Sequence, residues 1–229
     1  MHSGSGSVAT SAGNTIVSRS APVGWLTLGI WAGPLYVIVG AAQAMLREGF
    51  DPRRHALSLL SNGSLGWIQI ANFLVTGVMV IAFCIGLKQA LVSGKGRTWG
   101  PILLAIYGLG LICAGFFSAD PALGFPPGTP PGPPRTISTH GLLHFVCGGI
   151  GFLGLIASCL VFARRFASFK EACWAWYSAL TGIIFLAAFF GIASGSGNAS
   201  IILAFYAAVA LAWSWITALA IRTLKEVRR

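Results

Sequence analysis

Charged side chains are scarce in this sequence. Only 9% of its 229 residues are Asp, Glu, Lys or Arg, and just 5 of these are acidic. Soluble domains carry about 25% charged residues, so this composition excludes a soluble globular protein. Hydrophobic residues make up 55% of the chain, the mean hydropathy is +0.79, and the apolar residues come in runs of about 20. The sequence therefore predicts an integral α-helical membrane protein.

Closely paired cysteines are also missing. The chain has five cysteines, none of them in a CxxC spacing, and all lie within or beside apolar runs. This pattern excludes a disulfide framework and a cysteine zinc site, and it predicts buried free thiols. The formal net charge of +10 does not require a nucleic-acid partner, since basic loops on one side of a membrane explain it.

Six long apolar segments predict six transmembrane helices in one all-α bundle. Their predicted bounds are 23–46, 66–87, 99–117, 140–163, 173–193 and 199–223. Each is long enough to cross a hydrocarbon core of about 30 Å. The Ser- and Gly-rich residues 1–22 predict a disordered tail, residues 23–223 the transmembrane domain, and residues 224–229 a basic C-terminal tail.

The distribution of basic residues predicts the orientation in the membrane. If the N-terminus is cytoplasmic, 11 Lys and Arg residues lie on the cytoplasmic side and 4 on the other side. Cytoplasmic loops of membrane proteins are enriched in Lys and Arg. Both termini are therefore predicted to be cytoplasmic, and the loops after the first and third spans are predicted to lie outside.

The two outer loops carry different local signals. Asp51-Pro52 is typical of a helix start and Asn62-Gly63 of a helix stop, so a short interfacial helix is expected between them. On such a helix, His55 and Ser58 would share one face with the polar residues at both ends. The other loop holds 7 of the 11 prolines within residues 121–134, which predicts an extended, stiff spacer or lid.

The predicted orientation gathers most of the unusual polar residues at the outer end of the bundle. His140 and His144 open the fourth span four residues apart, so a helix places both imidazoles on one face. Polar side chains at membrane depth usually face a bundle interior or a wet cavity. The sequence therefore predicts an outward-facing polar pocket, whose candidate members are Asp51, His55, Ser58, Ser61, Asn62, Gln69, Asn72, Asp120, His140 and His144.

The most specific chemical hypothesis for this pocket is a zinc site. His140 and His144 would be two ligands and His55 or Asp120 a third, which leaves a fourth position for an activated water. Asp120 or Asp51 would otherwise accept the proton, and Ser58 would orient the water or the substrate. The remaining candidates would contact the ligand, namely Asp51, Ser61, Asn62, Gln69 and Asn72.

Ordinary structural roles explain the same residues. Asp51 and Asp120 each precede a proline and can act as helix caps, and His144 can hydrogen-bond across helices. The cluster would then bind a ligand or a lipid headgroup, or only brace the bundle. A haem held by His140 and another histidine is a further alternative. Transport has the least support, because no pair of spans broken by Gly or Pro marks two matching halves.

Several motifs give the chain a family resemblance. They are His55-x-x-Ser58-x-x-Ser61-Asn62-Gly63, then Gly66-Trp67-Ile68-Gln69 and Asn72-Phe73, and later Asp120-Pro121, Gly124, Pro126 and the Gly141/His144 stretch. In this order they resemble a family of six-span prokaryotic membrane proteins known as domain of unknown function 998. The resemblance covers nearly the whole chain after the tail. It implies six helices and leaves the activity open. The chain is predicted to lie in the prokaryotic cell membrane, with membrane lipid as its partner.

A weaker similarity is to the alkaline ceramidase and adiponectin-receptor superfamily of zinc-dependent membrane hydrolases. Those proteins use a Ser, an Asp and three His residues, two of them four apart, to cleave lipid amides. The resemblance implies that Ser58, Asp120, His55 and the His140/His144 pair act on a lipid or amphiphilic substrate. The chain departs from the superfamily in its six spans rather than seven and in carrying the His pair on the fourth span rather than the last.

Overall fold

Six α-helices dominate the computed structural model, which describes residues 23–134, 136–195 and 197–229. The disordered tail predicted for residues 1–22 lies outside the described residues. The helices are α1 (Val23–Leu46), α2 (Gly66–Ala90), α3 (Trp99–Phe116), α4 (Thr139–Ser168), α5 (Ala172–Ala193) and α6 (Ala199–Val227).

All six helices are long and apolar enough to cross a membrane, which confirms the six predicted spans. The predicted starts agree with the observed ones to within one residue. However, α2, α4 and α6 continue to Ala90, Ser168 and Val227, beyond their predicted ends. Basic residues occupy their last turns. Cations are favourable at a helix C-terminus. Because these basic residues lower the hydropathy of the last turns, the predicted spans stop before the helices end.

The helices form a closed ring, in which each packs on the next and α6 returns to contact α1. Glycines of α1 permit the closing contact. A Cβ atom added at Gly33 would lie 2.6 Å from the Thr217 hydroxyl and 2.9 Å from the Trp213 carbonyl oxygen, both on α6. A Cβ at Gly29 would lie 3.0 Å from the Ala220 side chain. Small residues at this spacing let membrane helices approach closely.

A second pair of glycines sets the crossing of α2 and α3. A Cβ atom on Gly77 would lie 2.7 Å from the Gly108 carbonyl oxygen, and a Cβ atom on Gly108 would lie 2.9 Å from the Gly77 carbonyl oxygen. The two backbones are therefore in direct contact. This contact fixes the position of α2, whose first turns carry Gln69 and Asn72.

Aromatic rings fill the middle of the bundle. Trp213 of α6 stacks on Tyr36 of α1 with 4.7 Å between ring centroids, and it lies 5.6 Å from the ring of Tyr107 on α3. All three side chains are buried. We refer to Tyr36, Tyr107 and Trp213 as the aromatic layer. It lies about midway along the helices that contribute it.

The loops 47–65 and 117–134 lie at the same end of the bundle and pack together; we call them the cap. Phe50 of the first loop meets Phe125 of the second edge to face, with 5.2 Å between centroids. A separate apolar cluster forms around this contact and consists of Ala44, Phe50, Leu59, Leu60, Ala119, Ala122 and Phe125. The opposite end, with the loops 91–98 and 169–171, is called the basic end below.

The short helix expected in the first cap loop is present but covers only Leu57–Ser61 and is a 3₁₀-helix. Asp51 does not begin it. The Asp51 carboxylate accepts a hydrogen bond from the Arg53 N–H at 2.8 Å, and its carbonyl oxygen accepts one from the His55 N–H at 2.9 Å. These bonds close a separate Asx turn. The single polar face predicted for residues 51–62 therefore does not form.

The proline-rich loop folds back on itself, so the prediction of an extended spacer is wrong. The Leu123 N–H donates to the Gly132 carbonyl at 2.7 Å, and the Gly124 N–H donates to the Pro130 carbonyl at 3.1 Å. Leu123 and Gly124 have φ values of 58° and 88°, in the left-handed region that reverses a chain. The reversal buries Phe125 completely against the first cap loop.

The basic end holds charged side chains between α4, α5 and α6. Arg165 was expected in a loop, but it lies in the last turn of α4 and is 0% exposed. Its Nη1 donates to two carbonyls of the 91–98 loop at 2.8 and 3.0 Å. Beside it, Arg222 pairs with Glu171 at 2.6 Å and with Glu226 at 2.8 Å.

Candidate functional site

His55 lies at the centre of the cap and is only 2% exposed. The Asp51 backbone N–H donates to its Nδ1 at 2.9 Å, and its Nε2 lies 3.1 Å from the Leu123 carbonyl oxygen. A backbone N–H can only donate, so Nδ1 accepts and the proton sits on Nε2, which donates to Leu123. Both ring nitrogens of His55 are thus used to join the two cap loops.

Residues around His55 connect the two cap loops to the helices. The Tyr206 hydroxyl of α6 donates to the His55 carbonyl oxygen at 2.8 Å. Arg47 donates to the carbonyls of Leu60 and Asn62 at 3.0 and 2.7 Å, and its guanidinium lies 5.2 Å from the Phe125 ring centroid. Partial burial lowers the pKa of Arg47 from its ordinary value, but a guanidinium stays charged at neutral pH.

Asp120 lies at the N-terminus of α4. Its Oδ2 accepts a hydrogen bond from the Ser138 N–H at 2.9 Å, and the Ser138 hydroxyl accepts one from the Gly141 N–H at 2.9 Å. Gly141 is required here, because a Cβ atom would lie 2.2 Å from Asp120 Oδ2. Asp120 and Ser138 therefore satisfy free N–H groups of the helix start, where negative charge is also favoured by the helix dipole.

His140 and His144 both contact Phe117, the residue that follows α3. The exposed His140 ring lies 5.7 Å from the Phe117 ring. The buried His144 has its Nδ1 2.7 Å from the Phe117 carbonyl oxygen, so Nδ1 carries the proton and donates it. The two histidines lie on one face of α4, as their spacing implies, and this face packs on the end of α3.

The structure does not bring these histidines into a recognisable metal centre. His55 and His144 bind different carbonyl groups, Leu123 and Phe117, in different parts of the cap end. Within residues 23–134, 136–195 and 197–229, no group of three or more His, Cys, Asp or Glu residues is arranged to hold a metal ion. The zinc hypothesis thus stays a prediction that this geometry does not strengthen.

The polar residues of the 3₁₀-helix are occupied by local hydrogen bonds. The Ser61 hydroxyl donates to the Ser58 carbonyl at 2.7 Å, and the Asn62 side chain donates to the Leu59 carbonyl at 3.2 Å. These bonds close the turn between the cap and α2. The roles predicted for Asp51, Ser58, Ser61 and Asn62 in ligand binding stay predictions.

Gln69 and Asn72 belong to a different group, which lies between α1 and α2. The Gln43 side-chain amide of α1 donates to Gln69 Oε1 at 2.8 Å. The Asn72 amide lies 3.4 Å from the same Gln69 oxygen and donates to the Tyr36 carbonyl at 3.2 Å. We call Gln43, Gln69 and Asn72 the amide cluster. All three side chains are buried, and Gln69 is 0% exposed.

Each member of the amide cluster retains a polar atom without a hydrogen-bond partner. These atoms are the acceptors Gln43 Oε1 and Asn72 Oδ1 and the donor Gln69 Nε2. Trp213 Nε1, in the aromatic layer, is a fourth such atom. Buried polar groups are nearly always paired in proteins, so a concentration of unpaired ones needs an explanation. The sequence indicated Gln69 and Asn72 but missed Gln43, whose signal is an amide in the last turn of an apolar span.

Replacing His55 by Leu should loosen the cap. The substitution keeps apolar volume next to Phe50 and Phe125 but leaves the Asp51 N–H and the Leu123 carbonyl unpaired, at a cost of about 1–3 kcal/mol. We expect faster amide hydrogen exchange in residues 47–65 and 117–134 and a lower melting temperature in detergent. The exposed His140→Leu is the control and should change neither. Equal exchange rates in both variants would show that His55 does not brace the cap.

The fold defines the class of protein to which this chain belongs. It is a six-helix membrane protein with a folded cap at one end. The family model described as Protein of unknown function (DUF998) matches residues 30–222, which takes in parts of all six helices and the whole cap. The chain belongs to this family. Searches of the curated proteins and of the solved structures gave no match.

Proposed function

We propose that this membrane protein binds an uncharged amphiphile at the amide cluster, with the hydroxyl or amide head group of the ligand between α1 and α2. The observation that carries the proposal is the set of unpaired buried atoms on Gln43, Gln69 and Asn72. Two unpaired acceptors and one unpaired donor belong to these side chains, which lie on two adjacent helices. The protein would act as a binding protein for a lipid-like molecule, with no chemical step.

The unpaired atoms make a bound polar group energetically favourable. An unsatisfied buried donor or acceptor costs about 1–3 kcal/mol, and these three atoms are closed to solvent. A hydroxyl can donate to Gln43 Oε1 or Asn72 Oδ1 and accept from Gln69 Nε2. One such head group would therefore satisfy two of the three atoms at once.

The surroundings favour a ligand without charge. The members of the amide cluster are neutral. Their neighbours include the aromatic rings of Tyr36 and Phe73, whose centroids are 6.1 Å apart. A charged head group would lose its hydration there without gaining an ion partner, which is strongly unfavourable. The unpaired atoms are closed to solvent in this structure, so the ligand reaches them only after neighbouring side chains move.

The proposal predicts selective stabilisation by 1-oleoylglycerol. In detergent, this probe at ten times its Kd should stabilise the protein by about 1.4 kcal/mol and raise its melting temperature, whereas oleate, with a charged head group, should not. Gln69→Leu should abolish the response, because Gln69 is the member that contacts both of the others. Gln89→Leu is the matched control on the same helix, since Gln89 is exposed, and it should respond like the wild type.

Two outcomes would contradict the proposal. The first is an equal response of Gln69→Leu and the wild type, which would place the probe elsewhere. The second is equal stabilisation by oleate and 1-oleoylglycerol, which would indicate detergent-like binding. If Gln69→Leu does not fold, Gln43→Leu serves as a second variant, because its loss leaves the bonds of Asn72 intact.

The zinc-dependent hydrolase stays a prediction of lower rank. It would require His55 to give up the hydrogen bonds of both ring nitrogens before a metal could bind there, and it would require His140 and His144 to turn toward the same ion. Metal analysis of the purified protein tests it directly. Near-stoichiometric zinc that is lost in His140→Ala and His144→Ala would favour the zinc-dependent hydrolase over the binding protein.

A further inference from the structure

We propose that an anionic phospholipid binds in a groove at the basic end, between the start of α5 and the end of α6. The groove has a volume of about 410 Å³. Trp174 of α5 forms one wall, and residues of the last turns of α6 form the other. The groove lies at the opposite end of the bundle from the amide cluster, so this site is independent of the function proposed above.

The charges in the groove favour an anion. Three cations line it, Arg222, Lys225 and Arg229, and they outnumber the two carboxylates, Glu226 and Glu171, which both pair with Arg222. Arg222 and Lys225 are three residues apart on one face of α6, and Arg229 follows the end of the helix. Lys225 and Arg229 are exposed. A phosphate at this position would contact the cation of Lys225 on the helix and that of Arg229 just beyond it.

Arg222 gives the groove a rigid centre. Its guanidinium is held by Glu171 at 2.6 Å and by Glu226 at 2.8 Å, and it lies 4.9 Å from the ring centroid of Trp174. These contacts fix one wall of the groove before any ligand arrives. The exposed side chains of Lys225 and Arg229 lie at the mouth of the groove, where a phosphate would contact them.

The apolar part of the groove distinguishes a phospholipid from a free phosphate. Ala218 and Ile221 line it on the side toward the middle of α6, where the helix runs into the membrane. The basic residues follow at the end of the helix. This order matches a phospholipid, with its acyl chains beside Ala218 and Ile221 and its phosphate beside Lys225. Basic pockets at the ends of membrane helices bind anionic head groups in this way.

Native mass spectrometry of the detergent-purified full chain tests the proposal. We expect dioleoylphosphatidylglycerol to bind at least tenfold more tightly than dioleoylphosphatidylcholine. Lys225→Gln/Arg229→Gln should weaken the phosphatidylglycerol Kd at least fivefold. The control Lys88→Gln/Lys95→Gln removes the same charge from exposed positions at the same end and should change the Kd less than twofold.

Each other outcome overturns the proposal. Equal Kd values for the two double variants would mean that only the overall charge matters. Equal binding of both lipids would mean that the groove does not distinguish an anionic head group from a zwitterionic one. Complete competition by millimolar inorganic phosphate would identify a free-phosphate site. Circular dichroism verifies the fold of each variant, and Lys225→Gln alone, at an exposed position, replaces the double variant if that one does not fold.

Discussion

Replacing Arg165 by Met should destabilise the protein by about 1–3 kcal/mol, the cost of leaving buried hydrogen-bond acceptors unpaired. Arg165 is fully buried, and its Nη1 donates to the carbonyls of Ser93 and Lys95. Its guanidinium also lies 5.1 Å from the centroid of the Phe169 ring. Met fills a similar volume, but it leaves both carbonyls of the 91–98 loop without the hydrogen bonds from Arg165. Thermal unfolding in detergent measures the loss.

The adjacent Arg164 provides the control for this prediction. Arg164 is on the same helix and is exposed, so Arg164→Met removes the same charge and the same side chain from the surface. Its effect on the melting temperature should be small. If the two variants melt together, the buried contacts of Arg165 contribute nothing beyond its charge, and the loop 91–98 must be held by other residues.

The second large effect is expected at the crossing of α2 and α3. Gly108→Leu should separate the two helices, because even a Cβ atom at Gly108 would lie 2.9 Å from the carbonyl oxygen of Gly77 and 2.9 Å from the Ile81 side chain. A backbone atom cannot turn away as a side chain does. Overpacking costs about 1–3 kcal/mol and occasionally more, and we expect the upper end of this range.

A glycine in open space gives the matched comparison. Gly148 of α4 has nothing within 4 Å of an added Cβ atom, and leucine favours a helix by up to about 1 kcal/mol over glycine. Gly148→Leu should therefore be neutral or stabilising, as measured by the melting temperature. Equal destabilisation by Gly108→Leu and Gly148→Leu would argue against a tight α2–α3 crossing.

The six helices were predictable because hydropathy alone determines whether a segment of about 20 residues can cross a membrane. The ends of α4 and α6 were not, since their last turns are charged while their backbone bonds continue. Arg165 illustrates the difficulty. Its charge predicts a loop, but its Nη1 donates to two carbonyls of a loop about 70 positions earlier in the chain. Such a partner lies beyond any local pattern.

The contacts of the candidate site were also only partly predictable from the sequence. The basic-residue count placed His55, His140 and His144 at one end of the bundle, which agrees with their positions in the cap and at the start of α4. It gave no means to pair His55 with Leu123, because that bond depends on how two loops fold over each other. Gln69 and Asn72 were easier, since a polar side chain inside an apolar span needs a partner wherever it lies.

The closed ring has a consequence for synthesis. The helix α1 is synthesised well before α6 and packs against it, since Gly33 of α1 contacts Trp213 and Thr217 of α6. Until α6 is inserted, the glycine face of α1 cannot contact α6. The cap also lacks the hydrogen bond from the Tyr206 hydroxyl to the His55 carbonyl oxygen. A chain that lacks α6 therefore leaves the glycine face of α1 without its contacts to Trp213 and Thr217.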